Sequence, residues 1–190
     1  MPIAIYNLSW ITLNVFLAFV PVVFTILLRR RMHPIVKWFL FFVWFLFLPN
    51  TIYLITDLQW MPGQLLVSQM PESAVLFAQY IALTFLGIFT YFFSLEPVGK
   101  LLTKKKVRGV NNSMLYIILN SILAFAVVLG KVQRTHSIYL FLDIKRVIDD
   151  VLATLTSPLL MFWVLVITIV INTIFFTCRK HFGKIMGERN

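Results

Sequence analysis

Apolar residues fill five long runs of this sequence, and polar residues are largely confined to the gaps between them. The runs extend from about residue 7 to 28, 35 to 56, 74 to 95, 113 to 130 and 158 to 178. Each is long enough to cross a hydrocarbon core about 30 Å thick at about 1.5 Å per helical residue. None contains Asp or Glu, and Lys37, near the start of the second, can carry its charge to the interface on its aliphatic stem. A sixth pattern differs in kind. Ile144, Val147, Ile148, Val151, Leu152 and Leu155 recur at i, i+3, i+4, i+7, which predicts an amphipathic helix over about 142–155 lying on a membrane surface. Threading residues 137–155 across the bilayer instead would take five charges with it. Each charge near the centre costs roughly 2.5–3.5 kcal/mol on insertion scales. The pattern therefore predicts an all-α fold. It is a polytopic helical membrane bundle with five transmembrane helices plus an external amphipathic interfacial helix, in a single integral membrane domain over residues 1–190.

Composition agrees, since 60% of the residues are hydrophobic, against roughly 45–50% in soluble proteins. The formal net charge is +10, and its distribution sets the threading. Loops after the first and third runs, together with the C-terminal tail, hold 13 of the 17 basic residues, and the segment 57–73 holds none. Basic loops stay cytoplasmic, so the N-terminus is expected outside and the C-terminus inside the cell membrane. Because the basic residues flank apolar runs rather than line one helix face, they point to anionic lipid headgroups and not to nucleic acid. The first run has no basic residue ahead of it and Arg29, Arg30 and Arg31 behind it, the reverse of a leader peptide, so it is read as a retained span. Cys178 is the only cysteine, and His33, His136 and His181 fall on both sides of the membrane. Neither a disulfide nor a metal site is expected, and no cofactor is implied.

One segment carries unusual polarity. In Leu48-Pro49-Asn50-Thr51-Ile52-Tyr53-Leu54-Ile55-Thr56-Asp57-Leu58, Pro49 predicts a kink with freed carbonyls. Asn50, Tyr53 and Asp57 then follow at spacings that place them on one helical face. They fit two roles. Asn50 can repair the kink while Tyr53 and Asp57 mark the water boundary, or the stripe can line an external pocket. The loop beyond, with Trp60, Met61, Leu65, Leu66 and Met70 around Pro62 and Pro71, is too apolar for a free linker. It is expected to pack on helix ends or dip into the interface.

This segment resembles the Leu-Pro-Asn-x-x-Tyr-x-x-Thr-Asp-Leu motif of the domain of unknown function 1361 family, small bacterial multispanning membrane proteins. The resemblance implies a fold and a compartment, the bacterial envelope, and no activity. A second family motif, Gly-Arg-x-x-Arg-x-Asn-Ser-Trp-Asp, falls on Gly130 to Tyr139. Gly130, Arg134 and Ser137 match and Lys131 keeps the charge, whereas His136, Ile138 and Tyr139 replace the Asn, Trp and Asp. If the absent acid and Trp do the family's work, this member has lost or altered it. Both motifs end on the same external side, so Asp57 is expected to meet Lys131 or Arg134. Such a pair can fix helix packing. Alternatively Lys131, Arg134 and His136 can cradle a phosphate or carboxylate. The candidate ligand-binding or structural cluster is thus Asn50, Tyr53, Asp57, Lys131, Arg134 and His136, and no catalytic residue is assigned.

Other polar residues have simpler explanations. Lys145 with Asp149 and Arg146 with Asp150 are i, i+4 pairs on an exposed face, worth about 0.2–0.5 kcal/mol each. Asn14, Asn120 and Asn172 fit interhelical hydrogen bonds, and the Phe-rich stretches fit lipid-facing or packing surface. No complete catalytic constellation is present. The first expectation is an accessory or interaction subunit of the cell envelope, without catalysis of its own and with a membrane protein or a second copy as partner. The alternative is an enzyme or binding protein for an anionic lipid headgroup or lipid-linked precursor at the outer leaflet. A transporter component comes third.

Overall fold

The first helix, α1 (Ile3–Leu28), buries Ala4, Asn7, Ala18, Pro21, Thr25 and Leu28, at steps of three, four and eleven residues that keep to one stripe. Its opposite side carries Leu13, Phe16, Val23 and Ile26, all exposed. A water-soluble helix does the reverse, turning its apolar face inward. Where lipid is the solvent, small and hydrogen-bonding side chains make the helix contacts instead. In the computed structural model of this chain the described residues are 3–104, 112–132 and 142–185. Five helical stretches among them are long and apolar enough to cross a membrane. The described chain divides into two units, Met1–Leu95 and Glu96–Asn190.

In the first unit the second span is a chain of short helices. α2 (Pro34–Phe47) opens on Pro34, whose missing N–H costs nothing at a helix start. α3 (Pro49–Thr56) follows across Leu48, and a 3-10 turn (Asp57–Trp60) leads into α4 (Met61–Val67). The apolar loop after α3 is therefore helical as far as Val67. It packs on the end of α1, as its composition required: Asn7 Nδ2 donates to Gln64 Oε1 at 2.7 Å, and Gln64 Nε2 returns a bond to Asn7 Oδ1 at 3.3 Å. Leu58 and Met61 join a core of Ala18, Leu54, Tyr80 and Leu83.

α5 (Glu72–Lys104) extends well past the end of the apolar run at residue 95. Its inward spacing continues through Leu95 and Val98, both buried, so the helical face does not end where the run does. Two contacts tie α5 to α1. The Glu72 carboxylate accepts from the backbone N–H groups of Ile3 and Ala4, capping donors that α1 cannot satisfy internally. Thr25 Oγ1 donates to Ser94 O at 3.0 Å. Gly87 lets α3 approach closely, since a Cβ there would lie 2.8 Å from Ile55 Cγ1 and 2.9 Å from Thr51 O.

In the second unit α6 (Asn112–Val132) packs on α8 (Pro158–Ile185) through Tyr116, Leu123, Val127, Ile171 and Phe175. α7 (Ile144–Thr156) is the expected amphipathic helix. Asp143 caps it by accepting from Arg146 N at 3.1 Å, and Arg146 pairs with Asp150 at 3.8 Å. Ser157, extended ahead of Pro158, ends it, because the residue before a proline is pushed out of the helical region. Thr154 is buried, while Ile144, Ile148, Leu152 and Leu155 are exposed. Four of the six stripe residues thus face away from the protein.

Candidate functional site

The sequence motif builds its site around the break between α2 and α3. Pro49 has no N–H for the carbonyl of Phe45 and displaces the preceding turn. Thr51 N bonds to Leu48 O at 3.1 Å, a three-residue step that leaves Phe47 O without its usual donor. Asn50 Nδ2 supplies it at 2.9 Å, and Thr51 Oγ1 adds a second bond to Leu48 O at 2.8 Å. The two polar residues after the proline therefore repair the kink. Tyr53, one turn on, is half-buried.

Asp57 opens the 3-10 turn and is only 3% exposed. Asn14 of α1 donates to its Oδ2 at 3.1 Å. Above it on the same stripe of α1, Asn7 accepts from Trp10 Nε1 at 3.1 Å while pairing with Gln64. The Trp10 ring lies 6.3 Å from that of Tyr80. Tyr80 is buried close enough to Asp57 to feel its charge, and its hydroxyl has no hydrogen-bond partner among the described residues. The first unit thus carries a polar column along α1, in which Asn7 bonds to Gln64 and Trp10 and Asn14 bonds to the buried Asp57.

Of the sequence-predicted cluster, Asn50, Tyr53 and Asp57 lie in the first unit. Lys131 lies in the last turn of α6 in the second unit. Arg134 and His136 lie outside the described residues. Interhelical bonding by the deep asparagines is present in both units: Asn14 reaches Asp57, and Asn120 Nδ2 donates to Asn172 Oδ1 at 2.9 Å. The residues that sequence reasoning passed over are Asn7, Trp10 and Tyr80. Asn7 and Asn14 are one heptad apart in an otherwise apolar run, a signal that was open to reading.

Helices with small, polar inner stripes and bare apolar outer faces, five of them long enough to span a bilayer, define a multi-pass membrane protein. The family described as protein of unknown function (DUF1361) matches residues 13–174, and the chain belongs to that family. No curated protein and no solved structure matches it.

Proposed function

We propose that this protein is a non-catalytic interaction subunit of the bacterial cell membrane, with its N-terminus outside and its C-terminus in the cytoplasm. One observation carries the reading. The polar groups of the motif are occupied by kink repair and helix packing, while Trp60, Leu66, Val67 and Met70 beside them stand exposed. Large exposed apolar patches mark protein or membrane contact surfaces, and the position of this one at a helix-packed end, outside the five apolar runs of the sequence, supports contact with another protein. The occupant is a membrane protein, either a different chain or a second copy. Affinity purification in mild detergent is expected to recover it in fixed stoichiometry, and Trp60→Ser with Leu66→Ser is expected to lose it. Repeated recovery of the protein as a bare monomer overturns the reading.

A second reading, a binder of anionic lipid headgroups at the outer leaflet, draws support from the Tyr80 hydroxyl, buried near Asp57 with no hydrogen-bond partner among the described residues. Under it, Asp57→Asn and Arg134→Ala abolish lipid retention in native mass spectrometry and leave the melting temperature intact. If both variants merely deplete the protein, the two residues are structural.

A further inference from the structure

The second unit holds a charged cluster of its own. Glu96, 2% exposed, directs Oε1 at two cations: Lys100 Nζ, one turn later on α5, at 3.4 Å, and Arg179 Nε, on α8, also at 3.4 Å. The Arg179 guanidinium lies over the ring of Tyr116, 4.9 Å from its centroid. Tyr116 is held in turn on three sides. Its hydroxyl donates to Glu96 O at 3.3 Å, its ring packs on Phe175 at 4.6 Å, and the bare backbone of Gly99 leaves room for it where a Cβ would overlap the ring.

This is not the geometry of a self-contained ion pair. A buried arginine and carboxylate normally meet fork to fork at about 2.7–2.9 Å. Here Arg179 presents Nε at 3.4 Å and makes no hydrogen bond to any described residue. Glu96 Oε2 is buried without a hydrogen-bond partner among the described residues. The aromatic ring, rather than the carboxylate, sets the guanidinium plane. Arg179 and Lys100 also keep 27% and 36% of their side chains exposed, so their donors can be reached from outside. Glu96 thus meets two cations, and Arg179 in particular turns its guanidinium to the Tyr116 ring.

Its depth identifies what it meets. Arg179 follows the start of α8 at Pro158 by about 32 Å of helix, and the hydrocarbon core is about 30 Å thick. The guanidinium therefore lies at the boundary where phospholipid phosphates lie, next to the exposed Lys180. We propose that Arg179 and Lys100, positioned by Tyr116 and Glu96, bind the phosphodiester of an anionic phospholipid headgroup at this membrane face. An anionic headgroup brings its phosphodiester to the partly exposed Arg179 and Lys100 side chains. A choline headgroup brings a cation of its own against Lys100 and Arg179 and is rejected. The proposal rests on the membrane-spanning reading alone and needs neither the interaction role nor the Asp57 column.

The test is native mass spectrometry of the full chain released from detergent, titrated separately with phosphatidylglycerol, phosphatidylcholine and inorganic phosphate. Phosphatidylglycerol is expected to bind about tenfold more tightly than phosphatidylcholine, and Arg179→Gln to remove about that factor, the worth of one charge-assisted bond. Lys100→Gln, which changes a partly exposed side chain, is expected to cost about threefold. If Arg179→Gln does not fold, Lys100→Gln and the lipid preference decide. Equal binding of the two lipids, or Lys100→Gln indistinguishable from the parent protein, overturns the proposal. Inorganic phosphate binding as tightly as phosphatidylglycerol assigns the cluster to free phosphate and overturns the lipid assignment. Partner recovery, which tests the interaction role, is read independently of these outcomes.

Discussion

Asn14 donates its side-chain amide to Asp57 at 3.1 Å, tying the acid of the motif to the first helix. Hydrogen bonds between membrane helices average about 0.6 kcal/mol and reach about 1.7, and those to charged acceptors run higher, about 1.5–3 kcal/mol. Asp57 is buried, which favours the upper range. Asn14→Leu is expected to cost about 1–2 kcal/mol of unfolding free energy. Denaturant unfolding in micelles measures it. Asn14→Asp, which sets two carboxylates face to face, is expected to cost more.

At the kink, Asn50 matters because Pro49 distorts the turn and leaves Phe47 O in need of a donor. Asn50→Leu is expected to destabilise by about 1 kcal/mol in the native background. In a Pro49→Ala background the helix recovers its regular ladder, and the same change is expected to cost far less. A double-mutant cycle with a coupling of at least about 0.5 kcal/mol supports this account; additive effects refute it.

Glu72 caps α1 from another helix. Removing a helix cap typically costs about 1 kcal/mol. Glu72→Ala is therefore expected to speed amide hydrogen exchange at residues 3–6 by several-fold, with little change in the middle of α1.

Two glycines should respond oppositely to the same change. Gly99→Ala drives a methyl group into the Tyr116 ring, and overpacking of this kind costs about 1–3 kcal/mol. Gly63→Ala in α4 meets nothing within 4 Å and gains up to about 1 kcal/mol of helix propensity. Thermal unfolding of the two variants side by side tests both expectations.

The proposed orientation is open to direct labelling. In a Cys178→Ser background, Gly63→Cys is expected to react with an impermeant maleimide on intact cells. Lys180→Cys, exposed at the far end of α8, is expected to react only after permeabilisation. The opposite result inverts the threading.

The number of spanning helices was written in the sequence, because crossing hydrocarbon demands an unbroken apolar run of a certain length, and run length is a local property. The kink followed from Pro49, its repair from the amide next to it, and α7 from a period of apolar residues, all within one or two helical turns. The end of α5 was harder to place. Glu96 stands one residue beyond the apolar run and reads as a solvated boundary. It is buried because α5 continues and Arg179 and Tyr116 pack on it.

What the sequence alone determined, then, is how often the chain crosses the membrane and where it bends. Tertiary packing decided which polar groups meet: Asn14 with Asp57, Asn7 with Gln64, Glu72 with the start of α1, and Arg179 with Glu96. The reason is that an isolated span reveals its affinity for lipid but not which of its faces a neighbour will cover. A buried polar side chain takes its bond from whichever helix supplies a partner at the same depth.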